Sequence, residues 1–352
     1  MESKIAVLGA GAWGTAIAKV IAEKGNKVTI WSYEEETKDD INQKRRNNRF
    51  LPDVELPELL TSTTNIEKAA EGSKYLIFAV PSLFLLDTLK KILNVNSIRD
   101  GKTAIAVLTK GFLPTSNGPR LILETMEDYL PGFYQQALVY ISGPSHAEEV
   151  SCGKITGLIA ASENAKNSIR FRDLLRTPQL FVFSSFDVRG VQVSAACKNI
   201  IAIAFGMLDA IKSIGGSSVF GDGTDSLLLA AGLNEIQLLG NALGATHPET
   251  FTSIAGICDL DVTCRSAYGR NRRFGRDIIE KNILEQYKDI DDLLTRIGEL
   301  GYLPEGVAAA KYVRYLSVKH KLKMPVSAGL SRILNRELDP YEFVQKFFDD
   351  LR

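Results

Sequence analysis

Residues 5–18 read IAVLGAGAWGTAIA, and this stretch decides the fold. Its four apolar residues at the start are typical of a strand buried on both faces. Gly9, Gly11 and Gly14 then follow in G-x-G-x-x-G spacing, and the segment continues in helical phase. Gly9 allows a tight turn, Gly11 lets a pyrophosphate approach the backbone, and Gly14 lets helix and strand pack closely. The stretch predicts a dinucleotide-binding unit rather than a glycine-rich structural turn.

Composition limits the class of partner. The chain has 352 residues, enough for about two domains. Lys plus Arg and Asp plus Glu number 42 each, so no overall charge favours nucleic acid or an anionic membrane. The four cysteines form no C-x-x-C pair, and no charged leader precedes a long apolar run. We expect a reduced, cytoplasmic protein with a small-molecule partner, no metal, no nucleic acid and no membrane span.

The rest of the chain divides into two regions with different secondary-structure patterns. Apolar, β-rich runs alternate with helical patterns in the first half, which predicts a mostly parallel, doubly wound α/β sheet. These runs lie at residues 27–31, 75–80, 103–108, 137–141, 157–161 and 180–183. Helical patterns fill the second half, at residues 191–212, 226–243, 273–286, 291–300, 305–320 and 325–335. We therefore expect a Rossmann domain over residues 1–189 and an all-α substrate domain over residues 190–352.

Polar residues follow three of the predicted strands. Ligands of open α/β sheets bind beyond the carboxyl ends of the strands, where Ser82, Lys110 and the segment 142–149 lie. Ser145 and Glu148 have capping-box spacing, which predicts a helix starting at Ser145 with its amides toward the cleft, or merely a well-capped helix. Lys110 could face a substrate anion or the cofactor, or it could be solvated.

Two further groups of residues lie in the helical half. Lys198 and Asn199 interrupt an otherwise small and apolar helix, where a charge is costly to desolvate unless it faces a cleft. Arg270 and Asn271 precede a predicted helix, so a guanidinium, an amide and the helix dipole could hold one phosphate, although a solvated helix start would look similar.

Of the three histidines, only His146 lies near the strand-end loops, whereas His247 and His320 lie in polar helical surroundings typical of the surface. Histidine is therefore a weak candidate, which leaves Lys198 as the acid or base.

The end of the second predicted strand leaves the cofactor open. An acid there would bind the ribose 2′-hydroxyl of NAD, but Ser32 and Tyr33 occupy the position and Glu34 comes late. A basic cluster follows, consisting of Lys44, Arg45, Arg46 and Arg49. This pattern leaves room for the 2′-phosphate of NADP, or describes a solvated helix end, so either NAD or NADP is compatible.

Together these motifs resemble the bacterial-type NAD(P)-dependent glycerol-3-phosphate dehydrogenases. The resemblance runs along the whole chain, through GAGAWGTAIA, RRNNRFLPD, VPS, TKGF, ISGPSHAEEV, DVRGVQVSAACKNIIAIAFG, LGNALGATHPETF, AGICDLDVTC, YGRNRRFG and LPEGVAAAK. It implies a homodimeric oxidoreductase that joins a Rossmann domain to a helical domain. It also implies interconversion of dihydroxyacetone phosphate and sn-glycerol 3-phosphate, which supplies phospholipid synthesis.

The resemblance also assigns roles to residues. It makes Lys198 the general acid/base. It places a substrate-binding set at Lys110, Gly143, Ser145, Lys198, Asp259, Gly269, Arg270 and Asn271. With the glycine loop, it places a cofactor-binding set at Gly9, Gly11, Ala12, Trp13, Gly14, Tyr33, Lys110, Ala147, Arg270, Leu303 and Glu305.

The chain departs from the family pattern in a few places. Residues 221–232 read GDGTDSLLLAAG where the family commonly has G-x-N-A-(K/R)-x-A-L-I-T-R-G, so Asp225 replaces a basic residue. Gly269 replaces a serine, and Tyr33 stands where His or Arg is common. These departures leave two alternatives open: a drifted paralogue acting as a β-hydroxyacid dehydrogenase on another substrate, or a non-catalytic nucleotide-binding protein.

Overall fold

The structure, a computed structural model, describes residues 4–214 and 219–349. Its contacts divide the chain into two compact units. The Rossmann unit comprises the described part of Met1–Leu113 together with Arg120–Val188. The helical unit comprises Pro114–Pro119 and the described part of Arg189–Arg352.

One eight-stranded sheet organises the Rossmann unit, in the order β10-β9-β8-β5-β4-β1-β2-β3. Six strands run parallel, whereas β9 pairs antiparallel with β8 and parallel with β10. The strands are β1 (Ile5–Leu8), β2 (Val28–Trp31), β3 (Leu60–Thr63), β4 (Tyr75–Phe78), β5 (Ala104–Val107), β8 (Val139–Ser142), β9 (Thr156–Ala161) and β10 (Leu180–Ser185). All four residues of β1 are fully buried, as a strand covered on both faces requires.

Helices complete this α/β unit. They are α1 (Ala12–Glu23), α2 (Glu35–Asp39), α3 (Ile66–Ala70), α4 (Ser82–Ile92), α5 (Asn96–Arg99), α6 (Ile122–Glu127), α7 (Ala147–Ser151) and α8 (Ala165–Leu175). The predicted fold class, a Rossmann-like parallel sheet followed by a mostly helical region, is confirmed.

The helical unit is built on α9 (Val188–Ile214), an apolar helix of 27 residues. By length and composition α9 could cross a bilayer, yet its most apolar window is entirely buried inside the protein, as in a core helix. The other helices are α10 (Asp222–Ala242), α11 (Asp259–Arg265), α12 (Arg270–Glu280), α13 (Ile290–Thr295), α14 (Glu305–Lys319), α15 (Pro325–Leu334) and α16 (Pro340–Asp349).

A buried carboxylate joins α10 to α15. Glu235 accepts hydrogen bonds from the amides of Val326 (2.5 Å) and Ser327 (3.0 Å) and from the Ser327 hydroxyl (2.6 Å). These amides belong to the first turn of α15, which has no cap from its own preceding residue. Burial raises the pKa of Glu235 above its usual range, although the hydrogen bonds act in the opposite direction.

A short hairpin leaves the Rossmann unit for the helical unit. It consists of β6 (Phe112–Thr115) and β7 (Gly118–Leu121). Its tip, residues 114–119, belongs to the helical unit, where Tyr315 donates a 3.5 Å hydrogen bond to the Asn117 carbonyl. A side chain at Gly118 would overlap the Tyr315 ring, since an added Cβ would lie 2.5 Å from it.

Several predicted element bounds were wrong. The helix expected over residues 273–286 begins at Arg270 and ends at Glu280. The pattern over 291–300 divides into α13 and a short 3₁₀ turn at Ile297–Leu300. The strand β3, the β6–β7 hairpin and the helix α16 were not predicted.

Candidate functional site

The glycine loop joins β1 to α1 as its spacing predicts. Gly9 has φ +119°, and an added Cβ would lie 2.8 Å from the Ala79 carbonyl oxygen. At Gly14 an added Cβ would lie 2.0 Å from the Gly9 oxygen, so helix and loop pack backbone to backbone. A Cβ at Gly11 would meet no atom within 4 Å. Gly11 is the N-cap of α1 and supplies no side-chain cap, so open space adjoins the first helix amides.

A buried amide side chain fixes this loop. Asn47, fully buried, donates from Nδ2 to the Ala10 carbonyl and to Thr15 Oγ1, both at 2.8 Å. Its own Oδ1 accepts from the Phe50 amide at 3.2 Å. Sequence reasoning did not assign a role to Asn47, although it lies within the quoted RRNNRFLPD block.

Four neighbouring parallel strands end at the same edge of the sheet. Since β8, β5, β4 and β1 are adjacent and parallel, the loops that follow them lie side by side. Thr109 donates to the Val80 carbonyl at 2.6 Å, which joins the loops after β5 and β4. Lys110, in the loop after β5, is half-buried. The edge thus brings together the glycine loop, Lys110 and the segment after β8.

The loop after β8 differs from its prediction. The expected capping box between Ser145 and Glu148 is wrong: α7 begins at Ala147 with His146 as its N-cap. Ser145 instead donates from Oγ to the Gly143 carbonyl at 3.1 Å. Gly143 has φ +132°, and an added Cβ would lie 2.7 Å from the Gly157 oxygen, so glycine is required there.

The end of β2 is polar and solvated. Tyr33 is 78% exposed, and the buried Ser32 turns its hydroxyl to the Glu34 carbonyl at 2.9 Å. In the basic cluster, Lys44 pairs with Asp40 at 2.6 Å and Arg49 lies 3.5 Å from the Glu34 carboxylate. Arg45 donates to the Leu60 carbonyl at 2.9 Å, and Arg46 is exposed. Recognition of a 2′-phosphate by this cluster stays a prediction.

The helical unit buries a lysine beside a carboxylate. Lys198 of α9 forms an ion pair with Asp259, the first residue of α11, and both side chains are buried. Lys198 Nζ also donates to Thr263 Oγ1 at 2.8 Å, and that hydroxyl donates to the Asp259 carbonyl at 2.6 Å. The carboxylate compensates the cost of burying an ammonium. Sequence reasoning assigned no role to Thr263. Once α11 is known, its i, i+4 spacing from Asp259 places the two residues on one helix face.

Local backbone geometry positions Asp259. A π-helical turn, Ile254–Cys258, runs directly into α11, and such turns are frequent at functional sites. Burial raises the pKa of the neighbouring Cys197 and Cys264 thiols, so neither is a thiolate at neutral pH. Within residues 4–214 and 219–349, no cluster of His, Cys, Asp or Glu could hold a metal ion.

Three helices meet beside this lysine. An added Cβ at Gly306, in the first turn of α14, would lie 2.6 Å from the carbonyl oxygen of Asn199. The Gly306 amide donates to Asn271 Oδ1 at 2.9 Å. Asn271 thereby ties the N-terminus of α12 to that of α14, next to the turn of α9 that carries Lys198.

The sequence placed Arg270 and Asn271 before a helix, and this was wrong: they form the first turn of α12. Asn271 is buried, whereas Arg270 is exposed and forms no ion pair among the residues the structure describes. An added Cβ at Gly269, the N-cap, would lie 3.1 Å from the backbone carbonyl oxygen of Thr263 and 3.2 Å from that of Ser266, so a side chain there would fit only tightly. Leu303 is half-buried just before α14, and Glu305 is its first residue.

The divergent segment contains a second ion pair, in which the aspartate is buried and the lysine half-buried. Asp225 of α10 accepts from Lys212 of α9 through both carboxylate oxygens, each at 2.9 Å. Because Lys212 supplies the positive charge, an acid is accommodated where the family pattern has a basic residue.

The described site elements are thus a glycine loop with open space at the start of α1 in the Rossmann unit, and a buried lysine paired with an aspartate in the helical unit. A family model described as the N-terminus of NAD-dependent glycerol-3-phosphate dehydrogenase matches residues 4–168, and one described as its C-terminus matches residues 187–345. The chain belongs to this family. It is an NAD(P)-dependent oxidoreductase, as predicted.

Relatives and solved structures agree with this family. A glycerol-3-phosphate dehydrogenase [NAD(P)+] from Treponema denticola is 51% identical over 351 residues, covering 98% of both chains. One from Bacillus velezensis is 36% identical, covering 94% of this chain and 90% of the relative. The crystal structure of a glycerol-3-phosphate dehydrogenase from Coxiella burnetii is 34% identical, with a TM-score of 0.85 and 99% coverage of both chains.

More distant neighbours share the fold alone. A D-mandelate dehydrogenase complex has a TM-score of 0.60 at 15% identity. The comparisons support the glycerol-3-phosphate dehydrogenase hypothesis and neither of the two alternatives, the drifted β-hydroxyacid dehydrogenase and the non-catalytic protein.

Proposed function

We propose that this protein interconverts dihydroxyacetone phosphate and sn-glycerol 3-phosphate, with Lys198 as the general acid/base. The observation that carries the proposal is the buried ammonium of Lys198, held by Asp259 and Thr263 in the mostly apolar helix α9. Structural stability alone does not require such a pair, because burying two charges is seldom more favourable than apolar packing.

The glycine loop fits a dinucleotide. Open space beside Gly11 and the uncapped start of α1 provide a cradle that a Cβ would narrow. We assign the cofactor to Gly9, Gly11, Ala12, Trp13 and Gly14. Tyr33, Lys110, Ala147, Arg270, Leu303 and Glu305 complete the proposed cofactor set. Bound NADH or NADPH supplies the hydride.

The residues of the helical unit then move the proton. In the reductive direction, the Lys198 ammonium hydrogen-bonds the ketone oxygen and transfers a proton to it as the oxygen gains charge. Asp259 and Thr263 hold Nζ in place during this transfer. In the oxidative direction, the neutral amine accepts the hydroxyl proton.

Residues at the start of α12 hold the phosphate in this proposal. The exposed guanidinium of Arg270 and the helix N-terminus both favour an anion. Asn271 Oδ1 accepts from the Gly306 amide, and its Nδ2 donates to no described residue, so Nδ2 can donate to the phosphate. Lys110, Gly143, Ser145 and Gly269 complete the proposed substrate set. Their contribution is orientation of the substrate rather than proton transfer.

Lys198→Ala tests the assignment, with Lys212→Ala as a matched control. Both changes remove a lysine of α9 that is paired with a buried aspartate. We expect Lys198→Ala to lower kcat by about 100-fold to 10,000-fold while NADH binding persists. Lys212→Ala should keep kcat near the wild-type value. The measurement is oxidation of NADH, and separately of NADPH, with dihydroxyacetone phosphate. Near-normal turnover in Lys198→Ala would refute the acid/base role.

The family likeness supports a small phosphate compound as the substrate. We also propose that the enzyme acts in the cytoplasm and forms a homodimer. Light scattering of the purified chain tests the dimer.

A further inference from the structure

A basic pocket lies in the Rossmann unit at the sheet edge opposite the glycine loop. It opens at the amino-terminal ends of β4 and β5, where Tyr75 and Ala104 pair in register. Its volume is about 540 Å³, within the range of small-molecule sites. The pocket therefore differs in place from the candidate site, which lies at the carboxyl ends of the same strands.

Charge concentrates in this pocket although the whole chain is neutral. Four cations line it, Lys74, Lys102, Lys166 and Arg170, against one carboxylate, Asp100. Asp100 is paired with Lys102 at 2.9 Å. In the part of the chain that the structure describes, Lys74, Lys166 and Arg170 form no ion pair. Three positive charges thus remain uncompensated in one concavity, which favours an anionic ligand.

The pocket also offers an aromatic surface. The Phe133 ring is 54% exposed in its wall, beside the buried Tyr134. An added Cβ at Gly101 would lie 2.7 Å from the Phe133 ring, so the glycine lets the ring lie against the backbone. Lys166 and Arg170, at i and i+4 on α8, share one helix face. A flat ring could stack on Phe133 while a phosphate contacts these two cations.

We propose that this pocket binds a mononucleotide, with its phosphate at Lys166 and Arg170 and its base against Phe133. The site is separate from the proposed dehydrogenase chemistry and does not depend on it. β5 begins at the pocket and ends shortly before Lys110, so the ligand occupies the opposite end of a strand that leads to the candidate site.

Calorimetric titration tests the proposal on the whole protein. NADH and sn-glycerol 3-phosphate, which are both reduced and cannot react together, are kept saturating so that they occupy the cofactor and substrate sites. The probes are adenosine 5′-monophosphate, ribose 5-phosphate and adenosine. We expect the nucleotide to bind more tightly than either fragment, because only the nucleotide carries both the aromatic base and the phosphate.

Variants place the binding in the pocket. The double change Lys166→Gln and Arg170→Gln should weaken nucleotide binding about tenfold or more. Arg172→Gln is the control, since Arg172 lies on α8 outside the pocket and pairs with Asp173 at 3.0 Å. Phe133→Ala should remove the preference for the nucleotide over ribose 5-phosphate.

Three results would overturn the proposal. The first is absence of nucleotide binding to the saturated protein at millimolar concentrations. The second is binding that the double variant does not weaken. The third is equal affinity for ribose 5-phosphate and the nucleotide, which would make the pocket a simple phosphate site.

Discussion

The proposed binding elements of the two units consist of different chemical groups. The Rossmann unit uses backbone: glycines, helix amides and strand ends form its dinucleotide loop, with one buried side chain, Asn47, holding it. The helical unit uses side chains: Lys198, Asp259 and Thr263 meet in a core that their helices otherwise fill with apolar residues. A backbone site is lost when an atom is added, whereas a site made of buried charges is lost when one partner is neutralised.

Neutralising Asp259 should have the largest effect. Asp259→Asn leaves the Lys198 ammonium buried without its counter-charge, so we expect a loss of about 3–5 kcal/mol in the free energy of unfolding. Urea unfolding followed by circular dichroism measures this loss. Thr263→Val, which keeps the shape and removes two hydrogen bonds but no charge, is the milder comparison. An Asp259→Asn protein as stable as the wild type would show that the ion pair is not what holds this site.

Adding one methyl group tests the backbone site. Gly14→Ala places a Cβ 2.0 Å from the Gly9 oxygen, and we expect a cost of about 3 kcal/mol together with loss of NADH binding. Gly11→Ala is the matched change, since its Cβ meets open space. It should alter stability by no more than about 0.5 kcal/mol and still weaken NADH binding.

The two tryptophans, Trp13 and Trp31, lie in the Rossmann unit, so their fluorescence reports its unfolding directly. Equal stability losses in Gly14→Ala and Gly11→Ala would contradict this account of the loop.

The smallest expected effect concerns pH. The folded pKa of Glu235 lies above the unfolded value of about 4.3, because burial outweighs its hydrogen bonds. The folded state therefore holds this proton more tightly, and the contribution of Glu235 to stability falls as pH rises through the interval between the two values. Urea unfolding at several pH values should show the wild type losing stability relative to Glu235→Gln as pH rises. An opposite trend would mean that the helix cap at α15 dominates over burial.

The sequence predicted the backbone site better than the side-chain site, for a physical reason. G-x-G-x-x-G spacing determines a local turn, so Gly9, Gly11 and Gly14 could be assigned from neighbours in the chain. The Lys198–Asp259 pair joins residues 61 apart, and Asn47 reaches a loop 37 positions away. Such contacts depend on how helices pack, which periodicity does not specify. Ser145 shows that local spacing can also mislead. It has capping-box spacing with Glu148, but its hydroxyl donates to the Gly143 carbonyl instead.

The β6–β7 hairpin determines which cleavages of the chain can separate the two units. The chain enters the helical unit at Pro114, returns at Arg120 and enters again at Arg189, so three peptide connections join the units. A single cleavage near residue 188 would leave the tip of the hairpin, with Asn117 and Gly118, on the fragment that carries the Rossmann unit, while the tip still contacts Tyr315 of the other fragment. Limited proteolysis at that point should therefore yield a nicked protein whose two pieces remain associated, and separation of the units requires cuts on both sides of the hairpin as well.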